Sequence, residues 1–524
     1  MKATRFSPIE RSILWARFIS IVDEAGTTLQ RTAFSSVTRE SADFAVVLLD
    51  TKGQSLAQSS VSVPSFLGVL PFLVKALIAD FFPLSCWEEG DVVITNDPWL
   101  CAGHKPDIGI VSPIFYDQKL IGFIGCIAHS PDIGGTLWGA NARDFYEEGL
   151  YIPPMLLYKK GIKNETLLSI IETNVRAPLQ TLGDINAQVA ANEQGIKSLH
   201  RLLKENNLTE IDTFGALIIE ASEQAMRQAI LQAPDGVYES DYKGDGDGLG
   251  NGIRLKCSLK IEGDEISVDY TGTSPVHKLA INAVLNYVFA YTAYPIKCIF
   301  SPDIPNNEGS FRPIKVWAPV DSLLNAQKPA PLGARNVTGN LLYGPVMKAL
   351  SKAVPEKVQA DCGAAVWVMV LSGKKTDQSE FVEYLFLSGG YGARNGLDGP
   401  STLCYPTNVA NVPIEVFESN APVLVTEKSL IPDSGGKGAF KGGAGQRFSY
   451  RNIGNEPLHI SNVTEKIKHR AYGLFGGKKG RKGNIYILTI KKEVRFTPPK
   501  GHDYLMPGEE LVMELPGGGG YGRP

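Results

Sequence analysis

The sequence has few of the features that mark disulfide-rich, zinc-finger or membrane proteins. Its seven cysteines are scattered over 524 residues, and none belongs to a C-x-x-C pair. This usage excludes a disulfide framework and favours a reduced, cytoplasmic setting. No uninterrupted apolar run approaches the ~18 residues of a membrane-spanning helix, and the first residues do not form a signal peptide. We therefore expect a cytoplasmic protein that has no membrane partner.

The sequence also lacks a large excess of positive or negative charge, and it lacks two common catalytic motifs. Lys and Arg number 52 against 55 Asp and Glu, which gives a formal net charge of −3. That balance gives no reason to expect nucleic acid as a partner. The sequence contains neither the phosphate loop G-x-x-x-x-G-K-[ST] nor the nucleophile elbow G-x-S-x-G. Both a nucleotide site within this chain and a Ser-His-Asp triad are thus excluded.

Length and glycine content indicate a large, turn-rich protein. A chain of 524 residues corresponds to roughly two to four domains, and 54 glycines predict many tight turns. We predict a multi-domain α+β fold that is β-rich, with mixed and antiparallel sheets and a helical segment in the first half. The predicted domains are 1–234 (α+β), 235–422 (mixed α/β) and 423–524 (β-rich), because Pro234-Asp235-Gly236 forms a sharp turn at which the texture changes.

Helical periodicity is clearest in the first half. Ser7-Pro8-Ile9-Glu10 has the form of a capping box with proline at the first helical position. Further helices are expected from 65 to 82, kinked or begun at Pro71, from 165 to 232, punctuated by Gly183 and Asn206-Asn207, from 282 to 295 and from 340 to 353.

The most informative stretch runs from Asn96 to Gly135. It contains two apolar segments, DIGIVSPIFY and LIGFIGCIA, separated by Asp117-Gln118-Lys119, which predicts an antiparallel hairpin. A turn centred near Gln118 places Asp107 opposite Ala128, His129 or Ser130, roughly 5 Å away across the ladder.

Two imidazoles and a carboxylate should therefore converge at one end of this hairpin. His104 lies three residues before Asp107, and Pro106 between them favours an extended or turned entry over a helix. Together with His129 they form a ligand set that suits Zn, Mn or Fe in a catalytic site. The alternative is that they are ordinary buried residues, since His-x-x-Asp alone is a weak pattern.

Other carboxylates lie close to this stretch. Asp132 follows His129 by three residues, where it could orient an imidazole or act as a general acid or base. It could equally cap a turn. For Asp97, Glu40 and Asp43 capping or solvated roles are expected, although Glu40 and Asp43 could line the same cavity.

Several motifs along the chain resemble those of a known family. They include NDPWLCAGHKPD, AHSPDIGG, EEGLYIPP, NNEGSFRPI, GGYGARNGLDGPS and the closing PGGGGYG. In these motifs and their order the chain resembles the hydantoinase B/oxoprolinase family, whose relatives include the large subunits of acetone and acetophenone carboxylases.

The resemblance implies a metal centre built from His104, Asp107 and His129, and a hetero-oligomer with a hydantoinase A-type subunit, an actin-like ATPase. ATP on that partner would phosphorylate an amide or ketone oxygen of a small-molecule substrate, and the activated intermediate would react on this chain. The first hypothesis is an ATP-dependent hydrolase of a cyclic amide: a hydantoin, 5-oxoproline or a lactam.

Two departures from the usual hydrolase motifs bear on the alternatives. Lys105 stands at a position that is usually apolar, and Ser130-Pro131 replaces His-Ala before Asp-Ile-Gly-Gly. The missing histidine favours the second hypothesis, the metal-bearing subunit of an ATP-dependent ketone carboxylase with a small third subunit. The chain is short for such a subunit. A third hypothesis is a non-catalytic assembly subunit whose site holds a structural metal or none.

Overall fold

The helices lie mainly between residues 165 and 230 and around the middle of the chain. The computed structural model describes residues 6–66, 68–375 and 377–524. In this part the α-helices are α1 Pro8–Thr32, α2 Ser36–Arg39, α3 Val69–Ala76, α4 Glu165–Asn174, α5 Pro178–Glu205, α6 Asp212–Ile230, α7 Leu285–Phe300, α8 Glu308–Phe311, α9 Asn336–Gly339, α10 Tyr343–Leu350 and α11 Ile414–Asn420.

A seven-stranded sheet carries the predicted hairpin at its centre. Its strands are β1 Phe44–Leu49, β2 Ser55–Gln58, β3 Val92–Thr95, β4 Asp107–Tyr116, β5 Lys119–His129, β6 Met155–Lys159 and β7 Ile162–Lys163. Their order in the sheet is β2-β1-β5-β4-β3-β6-β7. Helices α1 and α5 pack on one face and α3 on the other, so the central strands are apolar on both sides.

The predicted hairpin is confirmed, and its register is set by its turn together with one irregularity in the ladder. Asp117 and Gln118 adopt positive φ angles of 48° and 63°, as a two-residue turn between twisted strands requires. The turn alone would place Asp107 opposite Ala128, but the register shifts by one residue between Ile114 and Phe115, so Asp107 pairs with His129, the middle of the three registers that the sequence allows. The two side chains therefore leave the sheet at the same end.

Three smaller sheets follow among the described residues. The second contains β8 Gly236–Gly244, β9 Ile253–Glu262, β10 Glu265–Asp269 and β11 Ile314–Trp317; the third and fourth draw on β12 Trp367–Lys374, β13 Glu380–Leu387, β14 Val423–Leu430, β15 Gln446–Asn452, β16 Leu458–Val463, β17 Asn484–Leu488, β18 Val494–Arg495, β19 Lys500–Leu505 and β20 Glu510–Glu514. Their orders are β11-β10-β9-β8, β13-β12-β16-β19 and β14-β15-β20-β17-β18. The third sheet takes strands from both sides of position 422, and the three-domain division stays a prediction.

Helices occur in the predicted regions, but the predicted break at Gly183 and the predicted end at Pro295 are wrong. The capping box at Ser7 and Glu10 is present. Gly183 does not interrupt a helix: it lies inside α5, where a Cβ would come within 2.4 Å of the Phe34 ring. The break comes instead at Pro178, the first residue of α5. Helix α7 also continues past Pro295 to Phe300, because its packing against the core outweighs the lost backbone hydrogen bond.

One described segment, Pro64–Phe81, is long and apolar enough to cross a membrane, judged by length and composition. About half of it, 53%, is buried within the fold. Helix α3 begins at Val69, with Pro71 in its first turn, and places Leu70 and Leu73 in the core beside the central sheet. The described residues of this segment therefore contribute to the core of the fold.

Candidate metal centre

The structure brings the three predicted ligands together. Asp107 opens β4, His129 closes β5 opposite it, and His104 lies in the turn that leads into β4. One ligand atom from each residue can be chosen so that all lie within 4.8 Å of one another, and all three side chains are buried. The ring centroids of the two histidines are 5.1 Å apart.

The hydrogen bond of His104 determines which of its ring nitrogens carries the proton. Its Nδ1 lies 2.7 Å from the carbonyl oxygen of Gly333; a carbonyl only accepts, so Nδ1 donates its proton there. Trp138 donates its Nε1 proton to the same oxygen at 2.8 Å. Burial, and then the charge of Arg335, lower the pKa of His104 to about 4. The imidazole is therefore neutral at neutral pH, with a lone pair on Nε2.

Asp107 is ionised and bridges the cluster. Its Oδ1 lies 2.8 Å from Nε2 of His104 and 3.0 Å from Nδ1 of His129, and its other oxygen accepts from the Arg335 guanidinium. Burial alone would raise the pKa of Asp107, but Arg335 and the imidazoles lower it below its ordinary value. The carboxylate thus stays charged inside the protein.

These residues fit a divalent metal. Among the described residues, Nε2 of His129 is buried without a hydrogen-bond partner, and buried polar atoms are rarely left so. Nε2 of His104 faces an Asp107 oxygen at 2.8 Å, and with the proton on Nδ1 both of these atoms are acceptors. Two neutral imidazoles and one carboxylate form a donor set for Zn, Mn or Fe that leaves positions for water and substrate. The metal role of the three residues stays a prediction.

Arg335 is the residue of this centre that sequence reasoning missed. It lies in the loop before α9, and its guanidinium stacks over the Tyr287 ring at 4.0 Å. The guanidinium also donates to the carbonyl oxygen of Ala102. A Cβ at Gly103, whose φ is +86°, would come within 2.7 Å of the Arg335 Cδ. Glycine before His104 therefore makes room for this arginine.

The ligands border a narrow cavity of about 50 Å³. Asp43 lines it beside the three ligands, and burial raises the pKa of Asp43 to about 6. The Asp43 carbonyl accepts the backbone N–H of His129 at 3.1 Å. The Asp43 carboxylate is thus a further acidic group at this cavity. The sequence pattern, by contrast, favours a capping role for this residue.

Asp132 has a different surrounding. Its Oδ1 lies 2.6 Å from the Arg176 guanidinium, and its Oδ2 accepts from the backbone N–H of Gly134 at 3.2 Å. It lines a neighbouring small cavity together with Trp138 and Tyr384. These contacts suit an ion-paired loop residue, and the general acid or base role of Asp132 stays a prediction.

Lys105 and Asp97 fix the surrounding loops. Lys105 is buried, and its Nζ donates to the carbonyl oxygens of Phe145 and Gly149 at 2.6 and 2.7 Å. Burial lowers the pKa of Lys105 to about 8. Asp97 caps the turn at Trp99 through a 2.8 Å hydrogen bond, which is the capping role that the sequence predicts.

The chain matches the Hydantoinase B/oxoprolinase family over residues 7–524. It is 31% identical to a putative D-/L-hydantoinase subunit of the B type from Pseudomonas sp. strain NS671, over 99% of this chain and 90% of the relative. It is 30% identical to the beta subunit of caprolactamase from Pseudomonas jessenii, over 99% and 91%. It is also 29% identical to 5-oxoprolinase 1 of Arabidopsis thaliana, of which it spans only 42%.

Two solved structures share the fold. The ATP-dependent caprolactamase from Pseudomonas jessenii superimposes with a TM-score of 0.91 at 26% identity, covering 99% of this chain and 92% of that one. Nucleotide-free acetone carboxylase superimposes with a TM-score of 0.89 at 16% identity, covering 99% and 77%, a likeness of fold alone. From its sequence over almost its full length, the chain belongs to the hydantoinase B/oxoprolinase family.

Proposed function

We propose that this chain is the metal-bearing catalytic subunit of an ATP-dependent cyclic-amide hydrolase. Its substrate would be a hydantoin, 5-oxoproline or a lactam, phosphorylated by a hydantoinase A-type partner. The observation that carries the proposal is the buried cluster of His104, Asp107 and His129, whose ligand atoms converge within 4.8 Å and in which Nε2 of His129 lacks a partner in the described structure.

The names of the relatives support a partner subunit, and the likeness to the ATP-dependent caprolactamase supports the ATP dependence. Two of them are named as one subunit of a larger enzyme, of the B type in the hydantoinase and of the beta type in the caprolactamase, which suits a hetero-oligomer. The chain carries no phosphate loop, so ATP would bind to the partner. The complex would work in the cytoplasm, since the sequence favours a reduced setting.

The residues of this chain would divide the work as follows. An unstrained amide is a poor electrophile, and phosphorylation of its oxygen creates a good leaving group. A bound divalent metal lowers the pKa of a water ligand to about 7 and so supplies hydroxide at neutral pH. His104, Asp107 and His129 would hold the metal. Arg335 keeps Asp107 ionised and adds a fixed positive charge beside an anionic intermediate.

A ketone carboxylase is the second candidate. Ser130-Pro131 replaces the His-Ala of hydrolase-like members, and the fold is shared with acetone carboxylase. The same residues would hold a metal whose positive charge could stabilise an enolate while the enolate carbon attacks CO₂. The cluster by itself is therefore compatible with both reactions.

An ATPase screen on the chain co-expressed with its partner separates these candidates. We expect cyclic amides to stimulate ATP hydrolysis and to yield ring-opened products. His129→Ala should abolish both metal and turnover, whereas His200→Ala, which changes a histidine bonded to the Phe115 carbonyl, should leave both intact.

Other results would reject the proposal in favour of a named alternative. ATP consumption that depends on bicarbonate and a ketone, with none on lactams, would identify a carboxylase. Full turnover by His129→Ala would leave only an assembly role for this chain.

A further inference from the structure

The side chain of Asn336 lines the cavity beside the three candidate ligands but forms no hydrogen bond with them. Asn336 follows Arg335 and lines the same cavity as His104, Asp107 and His129. Its Oδ1 is buried and has no hydrogen-bond partner among the described residues. Such an acceptor is costly unless something that enters the cavity satisfies it.

The rest of the cavity wall opposite the ligands is largely apolar. Its apolar part is formed by the side chains of Val63, Val366, Val368, Phe386 and Val409, and the hydroxyl side chains of Ser65 and Thr407 lie on the same cavity. Most of these are buried, with Val63 and Val368 each only 2% exposed. A ligand that fits must therefore be small, mostly hydrocarbon, and polar on the edge that faces Asn336 and the metal cluster.

A cyclic amide has this distribution of groups. A small ring forces its planar amide into the cis form, so the N–H and the oxygen on the adjacent carbon lie on the same edge. A carboxamide side chain presents one acceptor and one donor edge whichever way its amide is turned. It can accept from the ring N–H and donate to that oxygen in the free amide, while the ring methylenes contact the valine wall.

We infer that Asn336 is the residue that recognises the ring nitrogen of the substrate, so that the cavity selects N–H cyclic amides over N-alkylated ones and over ketones. This inference rests on the proposed function and specifies its substrate class. An analogue without the N–H would leave the Asn336 oxygen buried and unpaired, the situation that gives polar sites their strongest discrimination.

The test is a saturation-transfer NMR titration of the metal-loaded full-length chain, without ATP or partner. The probes are 2-pyrrolidinone, N-methyl-2-pyrrolidinone and cyclopentanone, which share a five-membered ring. We expect the wild-type chain to bind 2-pyrrolidinone at least ~10-fold more tightly than either analogue. Asn336→Leu, close in size and without polar atoms, should bring the three affinities within about threefold of one another.

Asn340 offers a matched control four residues further on. Its Oδ1 is also buried without a partner in the described part of the chain, but it lines a separate small cavity beside Lys466. Asn340→Leu should keep the preference for 2-pyrrolidinone. A second variant, Asn336→Ala, is tested in the same way. The metal content and melting temperature of each variant show whether a lost preference results from poor folding.

Three results would overturn the inference: equal affinities for all probes in the wild-type chain, a preference that survives in Asn336→Leu and Asn336→Ala, or no binding of any probe. Because the titration involves no turnover, it can fail while the ATPase screen succeeds. A complex that opens lactam rings with unchanged N–H selectivity in both variants would retain the proposed function and lose this role of Asn336.

Discussion

Two buried aspartates of this protein, Asp107 and Asp361, each face a buried cation but differ in the side chains around the carboxylate. Asp361 is fully engaged: its Oδ1 accepts from Tyr343 at 2.5 Å, and its Oδ2 accepts from Tyr242 at 3.0 Å and from Lys466. Asp107 likewise faces a buried cation, Arg335.

The difference lies in the neighbours of each carboxylate. Around Asp361 the phenols and the ammonium direct their polar atoms at the acid, which is the pattern of a structural network. Around Asp107, Nε2 of His129 has no partner in the described structure, and the unprotonated Nε2 of His104 faces a carboxylate oxygen that is also an acceptor. Unsatisfied ligand atoms beside a saturated carboxylate therefore distinguish a candidate metal site from a buried ion pair.

The largest effect on stability is expected at Asp361. Asp361→Ala leaves the Lys466 charge buried and unpaired, which should lower the free energy of unfolding by about 3–5 kcal/mol. Urea denaturation of the wild type and the variant measures this. Metal content per folded chain should not change. Loss of metal with unchanged stability would reverse the assigned roles of the two aspartates.

Glu148 is a third buried carboxylate, and only one of its two oxygens has hydrogen-bond partners among the described residues. Its Oε1 accepts from the backbone of Gly333 at 2.6 Å, and its Oε2 has no partner among the described residues. Burial raises the pKa of Glu148 from 4.5 to about 7. The folded state thus holds this proton more tightly than the unfolded chain, and stability is lost as the pH rises from 4.5 to 7.

Glu148→Gln should remove that pH dependence. Relative to the variant, the wild-type free energy of unfolding should fall by about 3 kcal/mol between pH 4.5 and pH 7. Denaturation curves at several pH values measure the difference. Parallel curves for the two proteins would show that Glu148 ionises without hindrance in the folded state.

Arg335 tests how Asp107 is positioned. Arg335→Met removes the guanidinium that binds the second oxygen of Asp107 but keeps a long side chain over Tyr287. We expect metal affinity to fall by about 10- to 100-fold, measured by competition with a chelator. Arg335→Lys should restore part of this affinity. Unchanged affinity in Arg335→Met would mean that Asp107 is oriented by the histidines alone.

The smallest effect is expected at Trp138. Trp138→Phe keeps the aromatic contact with the two histidines and removes the hydrogen bond to Gly333. The loss should be about 1 kcal/mol of stability, with metal affinity lowered less than ~10-fold. A thermal melt and the same chelator competition measure both quantities. A loss as large as that of Arg335→Met would give the tryptophan a direct part in fixing His104.

The hairpin could be predicted from the sequence because local rules determine it. The turn at Asp117 and Gln118 sets the register to within one residue, and a shift between Ile114 and Phe115 then pairs Asp107 with His129. Arg335 and Asn336 could not be found in this way. They lie at the start of α9, about two hundred residues further along the chain, within the unremarkable segment LGARNVTG. Tertiary contacts, such as those of Arg335 with Ala102 and Asp107, bring them to the cavity.

Two helix predictions failed for a related reason. Glycine and proline residues predict breaks in a helix. Gly183 instead allows α5 to approach Phe34 closely, and Pro295 lies within a helix whose neighbouring residues are buried. Tertiary packing overrides local propensity at both positions. Asp132 shows the same limit, since its partner Arg176 lies 44 residues away.

Metal analysis of the purified chain by inductively coupled plasma mass spectrometry, with X-ray absorption spectroscopy of the bound ion, tests the central claim most directly. The account predicts about one Zn, Mn or Fe per chain with nitrogen and oxygen ligands, and loss of that ion in His129→Ala. A chain that stays metal-free after reconstitution, or an ion that His129→Ala retains in full, would contradict it.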